Sequence, residues 1–281
     1  MMEKALAMSA VDAVMPDIED GVPPQEKEAA RKVIAACLAA SADNRPACYV
    51  RINAVGSQLM HADLEQVVQP GTDGLALPKV ETAEQVKLVD QLVAERERQA
   101  RLPAGKVRLL VALESPRGLL NAYAIASASP RVTGLMFGGE DLGKELGLPL
   151  RREGEARELL YPRSMLVMAA AAAHVQAVDG VWPDLQDAEG LKRYALQGRR
   201  LGFTGMAAIH PNQVESINQA FAPTSEEVAY CRQIIETFEA AETRGEGAIA
   251  VAGQLIDPPI VERARRTVAF AARLAAAAHA R

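Results

Sequence analysis

The chain has 281 residues, 49% of them hydrophobic and 24% charged, a balance ordinary for a soluble globular fold with one large core. Its formal net charge of −5 gives no general attraction to nucleic acid or to an anionic membrane, so an anionic ligand needs a local basic patch. Three cysteines, Cys37, Cys48 and Cys231, fall in unrelated segments without a CxxC pair, which fits reduced thiols and a cytoplasmic protein.

In chain order, a short helical piece, Met2–Ser9, precedes the first apolar run, Asp12–Asp17. The opening Met1–Met8 carries Glu3 and lacks the long apolar core of a signal peptide. Further short strands are predicted at Cys48–Asn53, Gly74–Lys79, Val107–Glu114, Gly134–Asp141, Gly180–Asp184 and Gly205–Pro211. Amphipathic helices at Pro24–Ala40, Ala83–Gln99, Glu155–Ala177, Ala188–Leu201 and Asn212–Ala220 lie between them. Met165–Ala173 is too short and too weakly apolar to span a membrane. Alternation of this kind implies right-handed βαβ units around a parallel sheet, with no linker before residue 223. From Thr224 the alternation stops. Helices at Ser225–Thr243 and Ile260–His279 flank a glycine-punctuated segment ending in Asp257-Pro-Pro, a C-terminal extension over residues 224–281 shaped to reach over its own site or a neighbour's.

Polar groups recur where the predicted strands end: Asp17, Glu19 and Asp20; Arg51 and Asn53; Lys79; Glu114; Glu140 and Asp141; Asp184; His210. In parallel α/β proteins such positions face the active-site crevice. Glu114, in Val111-Ala-Leu-Glu-Ser-Pro, and Asp141, in Phe137-Gly-Gly-Glu-Asp-Leu, suit a hard divalent cation such as Mg²⁺, shared with substrate oxygens. Arg51 sits inside an apolar strand and needs a carboxylate partner, Asp17 or Glu19, or an anionic substrate. His210 reads as a hydrogen-bonded group orienting a loop, with a role as base the alternative. No HxxxH or HExxH spacing supports zinc, no GxSxG elbow a serine nucleophile, and no GxGxxG a dinucleotide. Gly138–Lys144 approaches a P-loop, but Glu145 stands where its metal-binding hydroxyl belongs.

The run Asp12-Ala-Val-Met-Pro-Asp-Ile-Glu-Asp-Gly-Val resembles the "DAVxLDLEDxV" strand of citrate lyase β-subunit-like proteins, in the HpcH/HpaI aldolase superfamily. Val50-Arg-Ile-Asn, Leu77-Pro-Lys-Val-Glu, Glu114-Ser-Pro-Arg-Gly-Leu-Leu-Asn, Phe137-Gly-Gly-Glu-Asp-Leu, Leu201-Gly-Phe-Thr-Gly, Ile209-His-Pro-Asn-Gln-Val and Gly253-Gln-Leu-Ile-Asp-Pro-Pro follow in that family's order. The resemblance implies a (β/α)8 TIM barrel of the phosphoenolpyruvate-binding type, using Mg²⁺ on coenzyme A thioesters and assembling as a homo-oligomer, a trimer or hexamer. By the same resemblance Glu114 and Asp141 look like the metal ligands and Arg51 like the residue gripping substrate oxygens. Asp257 looks like the tail aspartate that completes the site, supplied in several relatives by the adjacent subunit, and is the candidate for proton transfer. Lys4 lies where relatives place a lysine near the nucleotide of coenzyme A, and Asp17, Glu19, Lys79 and Asp184 are candidate substrate-binding residues by their strand-end positions. The wording is most similar to the citramalyl-CoA lyase branch, which forms acetyl-CoA and pyruvate; malyl-CoA lyase and the citrate lyase β subunit are the neighbouring alternatives, and a non-catalytic thioester-binding protein the alternative of another class.

Three departures from the family pattern carry expectations. Pro16 replaces an aliphatic residue and must interrupt a ladder hydrogen bond. Ser115-Pro-Arg stands where relatives have a threonine and small residues. The family's opening "RSxLxVPG" strand has no counterpart, so seven strands are expected where a closed barrel has eight, which points to a misassigned start codon or a genuine truncation.

Overall fold

The computed structural model describes residues 2–40, 45–152, 154–243, 245, 247–251 and 253–280, with side chains through residue 277. The chain divides into two compact units, Met1–Ile217 and Asn218–Arg281.

In the first unit, β1 (Ala13–Val14), β2 (Ala47–Arg51), β3 (Gly74–Leu77), β4 (Arg108–Leu113), β5 (Val132–Phe137), β6 (Gln176–Asp179) and β7 (Gly205–Met206) lie side by side in chain order, each parallel to the next. Sequential parallel order with helical crossovers is the arrangement of a TIM barrel. The seven strands match the number expected from sequence. Among the described residues, β1 and β7 are the sheet's terminal strands. β3 is buried throughout, as a strand covered on both faces must be.

Pro16 acts as expected. β1 pairs with β2 only at Ala13↔Ala47 and Val14↔Cys48, and pairing resumes as an isolated bridge between Asp17 and Arg51. There the Arg51 N–H donates to Pro16 O at 2.8 Å and the Ile18 N–H to Arg51 O at 2.9 Å.

The helices of this unit are α1 (Met2–Leu6), α2 (Lys27–Ala39), α3 (Gln58–Val67), α4 (Ala83–Gln99), α5 (Pro116–Leu120), α6 (Ala122–Ala126), α7 (Gly139–Leu146), α8 (Leu160–Ala172), α9 (Ala188–Leu201) and, at its end, α10 (Pro211–Phe221). α4 starts at a capping box between Thr82 and Gln85, and α9 runs from an Asp187 cap to Gly202 in the left-handed conformation. Both match their predicted spans.

Two predicted strands move. The predicted strand Gly134–Asp141 ends at Phe137: the Gly138 N–H closes onto Leu113 O and the chain turns into α7, so Asp141 lies in a helix's first turn and not at a strand end. The strand predicted at Gly180–Asp184 lies earlier, at Gln176–Asp179. α8 stops at Ala172 and His174 takes a left-handed turn, φ +57°, without the glycine that usually marks such a stop. Asp184 is therefore in the loop after β6.

The second unit pairs α11 (Ser225–Glu242), opened by a Thr224–Glu227 capping box, with α12 (Pro258–Ala280). The segment expected as a shaped loop forms an antiparallel hairpin, β8 (Ile249–Val251) with β9 (Gln254–Ile256). Ile234, Phe238, Val251, Ile256, Val261 and Ala264 form its core. No helix among the described residues is long and apolar enough to cross a membrane.

Candidate active site

The C-terminal ends of β1 to β5 bring most of the predicted residues together. After β1, the Asp17 carboxylate accepts from the Glu19 and Gly21 N–H groups at 2.8 and 2.9 Å, which folds the acidic turn back on itself. Arg51, at the end of β2, grips Asp17 through both arms of its fork, Nε to Oδ1 at 2.7 Å and Nη2 to Oδ2 at 2.6 Å. Its Nη1 lies 3.6 Å from Glu19 Oε2. The carboxylate partner expected for Arg51 is thus Asp17, with Glu19 beside it. Lys79, in a left-handed turn after β3 (φ +51°), pairs with Glu19 and Asp20 at 2.6 Å each.

Glu114 follows β4 directly and is buried. Burial first, then the charges of Asp141 and Glu19, push its carboxyl up to about 7, against the opposing pull of Arg51 and Lys79. The turn beside it is shaped to admit it: a Cβ at Gly138 would come within 3.0 Å of both the Cβ and the carboxyl carbon of Glu114. Asp141, partly buried, enters from the first turn of α7, where the helix dipole favours an acid. Counting Asp17, Glu19, Asp20, Glu114 and Asp141 against Arg51 and Lys79, five acidic groups face two basic ones. This imbalance around a buried carboxylate fits a divalent cation, and the all-oxygen donor set suits Mg²⁺. Among the described residues no three His, Cys, Asp or Glu side chains gather to enclose a cation by themselves.

A buried polar layer supports the acidic turn. Lys27 Nζ donates to the carbonyls of Ile18 (2.8 Å) and Glu19 (3.0 Å) and to Asn53 Oδ1 (2.6 Å). Asn53 donates through its N–H and Nδ2 to Asp63 Oδ2, both at 2.7 Å, and Arg31 Nε reaches Asp63 Oδ1 at 2.5 Å. Sequence reading missed Lys27, Arg31 and Asp63. Their signal was available: Lys27 and Arg31 share the buried stripe of α2 with Ile34 and Leu38.

Other predicted residues lie apart from this cluster. Asp184 is exposed, its Oδ1 accepting from the Gln186 N–H, and lines a separate cavity of about 210 Å³ with Asp187, His210, Asn212, Gln213 and Ser216. His210 accepts from the Asn212 N–H at 3.2 Å, the loop-orienting role expected of it. Lys4 is exposed on α1. Asp257 belongs to the second unit, where its Oδ1 accepts from the Ile260 N–H at 3.3 Å at the start of α12. Asp179 occupies the true end of β6, but it is held by Arg163 (Nη2 to Oδ2 2.5 Å), with both side chains fully buried. Ser115 caps α5 by accepting from the Gly118 N–H and donates to Glu81 at 2.9 Å. Cys37, Cys48 and Cys231 are free thiols, and burial raises Cys48 to about 11, so it stays neutral.

A family model described as HpcH/HpaI aldolase/citrate lyase matches residues 1–211. The chain belongs to the HpcH/HpaI aldolase/citrate lyase family. The citrate lyase subunit beta of Leuconostoc mesenteroides subsp. cremoris is 34% identical over 270 residues, covering 96% of this chain and 89% of that protein. The mitochondrial citramalyl-CoA lyase of Rattus norvegicus is 32% identical over 271 residues, 93% of this chain and 79% of that protein. Among solved structures, protein CitE from Mycobacterium tuberculosis in complex with magnesium, acetoacetate and coenzyme A is similar with a TM-score of 0.75 at 32% identity, covering 94% of this chain and 91% of that one. The HpcH/HpaI resemblance read from the motifs is thereby borne out over nearly the whole chain.

Proposed function

We propose that the chain is a Mg²⁺-dependent carbon–carbon lyase that cleaves (3S)-citramalyl-CoA into acetyl-CoA and pyruvate. The observation that carries this reading is the buried Glu114, destabilised as an anion by Asp141 and Glu19 at the C-terminal face of a parallel sheet. A carboxylate pair in that condition holds a cation well, and the similar M. tuberculosis protein was solved with magnesium and coenzyme A. Glu114 and Asp141 would hold the ion. Bound there, it supplies positive charge that acidifies the substrate hydroxyl and orients the 2-oxo acid end.

Around that centre the chain's own groups set the electrostatics. Arg51, held rigidly by Asp17, presents preorganised positive charge to the substrate carboxylate. Glu19 and Lys79 neutralise each other in the substrate-facing turn. In the reaction the C3 hydroxyl gives its proton to a base, its O–H electron pair closes to the ketone of pyruvate, and the bond between C2 and C3 breaks. The electron pair of that bond passes to C2 as the thioester enolate, which takes up a proton to give the acetyl thioester.

A citryl thioester is the second reading, favoured by the 34% identity to the Leuconostoc β subunit over 96% of the chain. Comparing free coenzyme A thioesters with carrier-bound ones separates the two. For the cation centre the test is Asp141→Asn: Mg²⁺-dependent turnover is expected to fall by at least about a hundredfold, in line with the loss of a group acting on transition-state charge. Unchanged turnover would remove Asp141 from the centre.

A further inference from the structure

We propose that Arg152 is a positioning residue for the Glu114–Asp141 centre, fixing the first turn of α7 to the loop that follows β6. The inference rests on reading that centre as a cation site.

α7 needs an outside tie. Its N-cap is Gly138, which offers no side chain to the free N–H groups of the first turn. A capping side chain is sterically barred there, because any Cβ at that position collides with Glu114. The close approach of Glu114 to Gly138 therefore deprives the helix carrying Asp141 of its usual anchor.

Arg152, on the connection between α7 and α8, supplies one. Its Nη2 pairs with Glu140, the immediate neighbour of Asp141, and its Nη1 donates to Val181 O at 3.0 Å. The guanidinium also lies against two aromatic rings, 5.6 Å from the centroid of Trp182 and 5.4 Å from that of Tyr194. The two rings pack on each other, centroids 5.4 Å apart, and Tyr194 is fixed in turn: its hydroxyl donates to Asp179 Oδ1 at 3.2 Å and its ring lies under Arg163, which is paired with Asp179. Arg152 is 10% exposed whereas Glu140 is 60% exposed, so the arginine is the fixed end and the turn of α7 is what it steadies. Only a planar fork can serve the carboxylate, the carbonyl and the ring faces together.

The test is titration of Mg²⁺ alone into the metal-free full-length protein by calorimetry, with Arg152→Lys, Arg152→Met, Arg152→Met/Glu140→Gln and Asp141→Asn. Positioning and bare charge predict opposite signs. Removing a positive charge beside a cation site tightens Mg²⁺ binding if only charge matters, whereas loss of positioning weakens it. Arg152→Met is expected to weaken binding by about tenfold, the usual effect of losing a group that orients a metal ligand. The double variant, with its charge balance restored, is expected to stay weak. Arg152→Lys keeps both the charge and the fold and is expected to weaken binding as well. Wild-type or tighter affinity in Arg152→Lys and Arg152→Met, with binding lost in Asp141→Asn, overturns the role of Arg152 and leaves the centre standing. Wild-type affinity in Asp141→Asn overturns the centre itself.

Discussion

Glu114 carries an electrostatic cost in the folded chain. Its ordinary value is 4.5, and burial with the charges of Asp141 and Glu19 raises it to about 7. A raised acid disfavours the folded state wherever it is ionised, so the penalty begins near pH 4.5 and is complete above pH 7. Glu114→Gln, measured with a chelator at pH 8, is therefore expected to be more stable than wild type by roughly 2 kcal/mol, with the difference vanishing near pH 4. Added Mg²⁺ should stabilise wild type and leave the variant unmoved; a variant less stable than wild type without metal would contradict the strain. The position of Glu114 was legible because it closes an apolar strand before Ser115-Pro116. What its neighbours do to it was not: the role of Gly138 depends on how close β4 and β5 bring their ends, and sequence spacing carries no such distance. Arg51 was legible as a charge needing a partner, and Asp17 proved to be that partner across the β1–β2 bridge.

Among elements, those with explicit stop and start chemistry were read well. α4 and α9 carry Thr82 and Asp187 as caps, and their spans follow from sequence. β6 was misplaced because α8 ends at Ala172-Ala-His with no glycine or proline, so the alanine-rich pattern reads on into Gln176 and Ala177. α5 and α6, five residues each, pack against the longer α8, so their stability is tertiary and they are too short to show a clear period. The elements are also tied at the opposite end of the sheet, where Arg131 donates from both Nη atoms to Glu97 (2.8 and 2.7 Å) and from Nε to Asp90. Burial raises the Glu97 carboxyl, but the hydrogen bonds from Arg131 and from the Val107 and Gly105 N–H groups outweigh it and hold it below 4.5. Stability from a depressed acid is present above its unfolded value and lost as pH falls through the folded one. Glu97→Gln is thus expected to cost about 3 kcal/mol at pH 7, since it leaves Arg131 under-neutralised. The gap should narrow in acid unfolding below pH 4.5; a gap independent of pH would show that packing, not charge, is what Glu97 contributes.

For the whole molecule, seven parallel strands and eight motifs in family order were both legible in the sequence, because βαβ alternation and strand-end chemistry are local patterns. The antiparallel β8–β9 hairpin was not, because its strands are three residues each and interrupted by glycine. Which 3-hydroxyacyl thioester fits is a matter of pocket shape, and a methyl group or a carboxymethyl at the tertiary carbon leaves no local signature in the chain. The decisive measurement is incubation of the full-length protein with (3S)-citramalyl-, malyl- and citryl-thioesters, with and without Mg²⁺, following the acetyl thioester, 2-oxo acid and free thiol together. Equimolar acetyl-CoA and pyruvate are expected from (3S)-citramalyl-CoA, only when Mg²⁺ is present. Release of free coenzyme A without a 2-oxo acid, or no cleavage of any of the three thioesters with Mg²⁺, would contradict that expectation.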